Sequence, residues 1–210
     1  MSLHNRATGC CLLTIVAFFL LSQPAFCQEQ ASPTSSIDST TRPLAAKDAE
    51  TLQPGLTPFY FRNFYARDLR QLPGFKKTHK KGEMGEPILK LNHQFGNGMV
   101  FDSGTNKGVG IRMIGAINFD HTGEYRFQAL SNDGFQLYLG DTLIVNDPKQ
   151  HSDQLSEIGS IVIDEPGWYP LRIDYFQRKG TAALKLFWET PQNTEMTIVP
   201  ASAYAHQPEK

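Results

Sequence analysis

Residues 130–141 read LSNDGFQLYLGD. On one side of the Asn-Asp-Gly group, Tyr125, Phe127 and Ala129 take every second place. On the other, Phe135, Leu137 and Leu139 do the same. Period-two alternation puts successive side chains on opposite faces of a strand, so each run reads as a half-buried β-strand. Asn, Asp and Gly supply the left-handed dihedrals and local side-chain bonds of a tight loop, so Ser131–Gly134 reads as a four-residue hairpin loop. The same oxygen-rich residue types could also hold a cation. Gly140-Asp141 reads as a two-residue turn, with glycine at the first central place that a type II′ turn requires.

The pattern extends in both directions. Val109, Ile111 and Met113 alternate, then Ile117 and Phe119, before a turn at Asp120–Gly123. Leu143 and Val145 follow Gly140-Asp141, and later runs are Ile161/Ile163, Leu171/Ile173/Tyr175 and Leu184/Leu186/Trp188. Short alternating segments separated by Gly, Pro, Asn and Asp predict an all-β sandwich or barrel. Only Ala66–Leu72 reads as a helical turn, and no internal repeat is visible.

The chain has 210 residues, a formal charge of −1 and 40% apolar residues. That suffices for one domain with a real core, and so balanced a charge predicts no broad face for a polyanion such as nucleic acid. The first 27 residues read as a signal peptide. His4 and Arg6 precede the apolar run CCLLTIVAFFLL at 10–21, shorter than the roughly 20 residues that span a bilayer. Ala25 and Cys27 place small side chains for cleavage before Gln28. Phe26 stands where lipoprotein signals carry a small residue before the modified cysteine. All three cysteines (Cys10, Cys11, Cys27) fall in this leader, so the exported chain carries no disulfide, thiolate metal site or cysteine nucleophile. The mature chain is expected to have no transmembrane helix and to be secreted, periplasmic or at the cell surface. Residues 28–53, rich in Ser, Thr, Ala and Pro without an aromatic side chain, predict a disordered linker. The domain is expected over 54–205, with a C-terminal tail at 206–210.

The order of these blocks resembles the protective-antigen (PA-fourteen) domain family. The likeness is carried by Gly55-Leu56 with the aromatic cluster ending at Tyr65, by Val109–Arg112, and by Gly123-Glu124-Tyr125-Arg126-Phe127. It continues through Ser131-Asn132-Asp133-Gly134 and Gly167-Trp168-Tyr169-Pro170-Leu171-Arg172-Ile173-Asp174-Tyr175-Phe176, then Ala183–Trp188. The resemblance implies a two-sheet β-sandwich whose best understood members bind glycans through calcium. In them, two consecutive aspartates joined by a cis peptide hold Ca²⁺ and an adjacent loop adds an Asn. Calcium takes 6–8 hard oxygen ligands, and sugar hydroxyls can replace its waters.

Carried over residue by residue, Asn132 stands for the first aspartate and Asp133 for the second, with one formal charge fewer. Asn146 and Asp147 are the further ligands expected from an adjacent loop, and His151 is expected to contact the sugar. The alternative role for the same fold is envelope protein–protein assembly with no glycan or metal site. The run Lys76–Lys81 (KKTHKK) reads as a solvated loop. Strand alternation assigns at least two of Trp168, Tyr169 and Trp188 to core or edge packing. There is no G-x-S-x-G, H-E-x-x-H, phosphate loop or dinucleotide fingerprint, so the expectation is a non-catalytic module.

Overall fold

The computed structural model describes residues 41–208. The signal peptide expected over 1–27 and the linker residues 28–40 lie outside the described residues. Along the chain run β1 (Gln53–Pro54), β2 (Thr57–Arg62), β3 (Glu83–Met84), β4 (Asn92–Gly96), β5 (Val109–Phe119), β6 (Gly123–Asn132) and β7 (Phe135–Leu139). Then come β8 (Thr142–Asp147), β9 (Gln154–Leu155), β10 (Gly159–Ile163), β11 (Gly167–Gln177), β12 (Ala182–Thr190), β13 (Asn193–Ile198) and β14 (Tyr204–His206). The first sheet has the order β1-β14-β5-β11-β7-β8, with β2 sharing an edge of β5 and β3 added to β2. The second has the order β10-β6-β12-β13, with β4 on β12 and β9 on β6. Neighbouring strands pair antiparallel throughout, from Gly167 opposite Phe119 to Gln177 opposite Val109 along β11 and β5.

The core fills the space between the sheets. Ile111, Phe119, Phe127, Ala129, Phe135, Leu137, Ile173, Leu184 and Leu186 are fully buried, the inward half of the alternation read from the sequence. Each of these side chains except the small Ala129 contributes roughly 1.5–3 kcal/mol by leaving water. Tyr169 is buried and Trp188 lies against Phe119, Tyr125 and Phe127, so both serve packing. Gly140 has φ +55, as the expected turn between β7 and β8 requires.

The outer face of the first sheet is covered in part by residues 63–82. Phe59, Phe61, Leu69, Leu72 and Phe176 form a second apolar cluster there. Beside it, Arg112 lies opposite Asp174 across β5 and β11. Its Nε and Nη2 donate to the two carboxylate oxygens at 2.6 and 2.8 Å, while Nη1 donates to Pro73 O and Thr78 Oγ1. The expected turn at Ala66–Leu72 is the short helical segment Leu69–Gln71. The Lys76–Lys81 stretch is also wound into short helical turns, with Thr78 buried.

Three expectations need correction. Ser131–Gly134 is not a hairpin loop: β6 belongs to the second sheet and β7 to the first, so Asn132-Asp133-Gly134 carries the chain across the sandwich. A Cβ on Gly134 would meet the Phe176 ring and the Pro148 backbone at 2.7 Å, which is why glycine stands there. Second, the described part of the expected linker is ordered. Leu44 N–H donates to Trp168 O, Ala46–Ala49 forms a helical turn, and Gln53-Pro54 pairs with β14. Backbone hydrogen bonds at the sheet edge hold this arm, with Leu44 and Leu52 half-buried beside them. Third, the domain runs past residue 205. His206 is buried in β14, with Nδ1 3.2 Å from Gly55 O, and Gln207 Nε2 donates to Asp48 O.

Candidate functional site at the loop end

Two chain crossings lie side by side at one end of the sandwich. β6 leads into β7 through Asn132–Gly134, and β11 leads into β12 through Arg178–Thr181. Because β6 pairs with β12 (Asn132 opposite Ala183) and β7 with β11 (Phe135 opposite Tyr175), both crossings must leave together. Direct bonds join them. Arg178 N–H donates to Asp133 Oδ2 at 2.7 Å, and Asn132 Nδ2 donates to Thr181 Oγ1 at 3.2 Å. Gln177, fully buried, donates its amide to Gly180 O and Thr181 O, shaping the second crossing from beneath.

The peptide bond between Asn132 and Asp133 is cis, as the resemblance implies for the paired acids of its sugar-binding members. Tyr175 hydroxyl donates to Asn132 O at 2.7 Å, and Asp133 N–H donates to Phe176 O at 2.9 Å. Asp133 is 2% exposed. Burial raises its carboxyl above the ordinary carboxylate range, opposed by the backbone N–H of Arg178 and by the charge and N–H of His151. Asn132 Nδ2 also donates to Asp153 Oδ1 at 2.8 Å. With Gln94 as a second donor, that bond holds Asp153 below its usual range.

The five residues singled out from the sequence do not all converge. Asn132, Asp133 and His151 meet at the crossing. Asp147 lies close by: His151 Nε2 is 3.1 Å from Asp147 Oδ2, outside hydrogen-bond geometry, and Gln154 Nε2 donates to the same oxygen at 3.3 Å. His151 Nδ1 donates to Ser152 O, so both ring nitrogens face protein groups. Asn146 points the other way. It stands opposite Gln136 on the outer face of β7 and β8, and accepts that residue's amide at 2.8 Å. As placed, these donors do not make the cage the resemblance implies. Asn146 is on the opposite strand face, so the four expected oxygen donors are not brought to one point.

The sequence reading passed over Asp153, Gln177, Arg178 and Thr181. Arg178 to Gly180 also form one wall of an open cleft of about 560 Å³, completed by Tyr65 and Lys107. Nothing local in the sequence marks these positions. They meet because Val109, at the start of β5, lies opposite Gln177 at the end of β11.

Among curated proteins, the chain is 21% identical over 174 residues to anti-sigma-I factor RsgI3 of Acetivibrio thermocellus. The match covers 83% of this chain and 24% of that protein; the chain thus spans about a quarter of the relative's length. Among solved structures, the PA14 domain of the MpAFP antifreeze protein superposes with a TM-score of 0.62 at 14% identity, covering 82% of this chain and 98% of that one. The epithelial adhesin 6 A domain of Candida glabrata, solved with Galβ1-3GlcNAc, gives 0.56 at 14% identity, covering 74% and 88%. At such identities the structural likeness shows the fold. The family model of the PA14 domain matches residues 52–202, nearly the whole of the sandwich, and the chain belongs to the PA14 domain family.

Proposed function

We propose that the protein is an exported, non-catalytic carbohydrate-binding module that takes a glycan at the loop end of the sandwich. The observation that carries this reading is the pair of adjoining crossings at Asn132–Gly134 and Arg178–Thr181. Together they set polar side chains and backbone groups around an open cleft on a rigid two-sheet frame. Binding sites are typically concave, with a few placed polar groups on a largely preformed scaffold, and a sugar's hydroxyls need such fixed donors and acceptors. The sugar complex of the Candida glabrata adhesin domain, on the same fold, supports the reading. Fold alone does not name an activity, so the test is direct. The purified protein is applied to a glycan array in EDTA and again with CaCl₂. A defined set of bound glycans, lost when Tyr65 and Arg178 of the cleft are both replaced by alanine, is the expected result. An array empty in both buffers would overturn the reading.

Protein assembly is the second reading. The likeness to an anti-sigma factor favours it, as does the edge where β8 meets β10. There Leu143, Leu155, Ile158 and Val162 are exposed on β8, β9 and the β10 region. Recovery of one defined protein partner that Leu143→Lys and Val162→Lys abolish, with no glycan bound, would favour this role instead.

A further inference from the structure

The cleft beside the crossings is cationic. Lys107, Arg178 and Lys179 line it together with Tyr65 and Gly180, on a chain whose formal charge is −1. None of the three cations lies within ion-pair distance of a carboxylate among the described residues. Asp133, the nearest buried acid in the crossing, already receives the Arg178 and His151 backbone amides.

Arg178 is held in place rather than trailing into solvent. Its Nε donates to Tyr65 O at 2.9 Å, its carbonyl accepts Gly108 N–H at 3.0 Å, and its own N–H is fixed on Asp133. The two Nη groups hold no hydrogen bond among the described residues, so the fork remains to be filled. A planar guanidinium with a free fork matches a carboxylate or sulfate bidentately. Tyr65 is 43% exposed, yet its ring is seated against Gly108, where a Cβ would stand 2.5 Å from the ring. An exposed, immobile aromatic face beside a cationic fork suits a sugar ring bearing an acid group. A divalent cation brought to this cleft would instead meet three positive charges.

We propose that the cleft of Tyr65, Lys107, Arg178 and Lys179 binds an acidic saccharide, through its carboxylate or sulfate, without a metal ion. The inference rests on the carbohydrate reading and narrows it to a charge class. Lys107 and Lys179, both exposed, add attraction that salt screens over about 10 Å. Arg178 supplies the oriented contact, and Tyr65 the stacking surface.

The test is isothermal titration of the full chain, in EDTA, with trigalacturonate, a chondroitin sulfate tetrasaccharide, and the neutral sugars lactose and maltotriose. At least one acidic probe should bind, with unchanged affinity when CaCl₂ replaces EDTA and weaker affinity as NaCl rises. Which probe binds distinguishes carboxylate from sulfate. The double variant Lys107→Gln/Lys179→Gln should lose about tenfold in affinity, on the order of one charge-assisted contact, at an unchanged melting temperature. Arg178→Gln should lose more. Neutral sugars bound as well as acidic ones, or acidic binding that needs calcium, would overturn this inference and leave the carbohydrate reading standing. If no saccharide of either kind binds, the carbohydrate reading itself has failed.

Discussion

Asp174→Asn keeps the shape of a buried side chain and removes its charge. Arg112 is 4% exposed and Asp174 5%, so solvent screens neither. The two oxygens of Asp174 take hydrogen bonds at 2.6 and 2.8 Å from one guanidinium. Removing one partner of such a pair leaves an uncompensated buried charge, at a cost of about 3–5 kcal/mol. Arg112 would keep Pro73 O and Thr78 Oγ1 as acceptors, and the new amide still offers one oxygen. The expected loss is therefore near the lower end, about 3 kcal/mol. For a domain of this size that lowers the melting temperature by roughly 6–12 °C. In urea, the midpoint should fall with an unchanged slope, since the surface exposed on unfolding is the same. Replacing both residues, as Arg112→Met/Asp174→Leu, removes the stranded charge and should recover most of the loss. A cost under about 1 kcal/mol for Asp174→Asn would refute the reasoning. So would a double variant as unstable as the single one.

Gly134→Ala would drive a methyl into the Phe176 ring and the Pro148 carbonyl. It should cost about 1–3 kcal/mol through forced repacking, measured by thermal melting, and an unchanged melting temperature would disprove the tight crossing. Alkaline pH tests the buried phenols. Burial holds the hydroxyls of Tyr60, Tyr175 and Tyr204 protonated well above the ordinary phenol value of 10.0. The folded state then keeps protons that the unfolded chain has released. Their contribution is complete below pH 10 and drains away as pH rises toward the folded values, by about 1.4 kcal/mol per pH unit for each phenol. Urea midpoints should fall steeply above pH 10, and the Tyr175→Phe variant should show a shallower fall.

The strands were legible because burial imposes period two, and Leu171/Ile173/Tyr175 face the core as their spacing requires. Connectivity between sheets was not. A polar Asn-Asp-Gly group turns the chain, but its sequence cannot say whether the next strand joins the same sheet. That depends on β11 lying between β5 and β7. Leu143 and Val145 show how alternation can mislead. A register shift leaves Val145 opposite Leu137 but Leu143 opposite Tyr138, so Val145 is buried and Leu143 exposed. Asn146 and Asp147 were both expected in the site from the loop that ends the Leu143–Val145 run, but neighbouring strand residues point to opposite faces. The cleft was illegible for another reason. Tyr65, Lys107 and Arg178 are distant in sequence and meet only through the pairing of β2, β5 and β11. The marked run Lys76–Lys81 draws attention first because its charge is contiguous.

The arm that starts at Thr41 has a directional consequence. Thr41 Oγ1 reaches Leu139 O, and Leu44 bonds to Trp168, at the β7 end and β11 start remote from the crossings. β14 meets β5 at Ile117 and Ala116 and, being antiparallel, runs from there toward the middle of that strand. β11, of 11 residues, separates the two ends by about 35 Å. The N-terminal way into the domain therefore opens on its far pole. A support attached through that arm would hold the cleft outermost, as a sensor stands on its stalk.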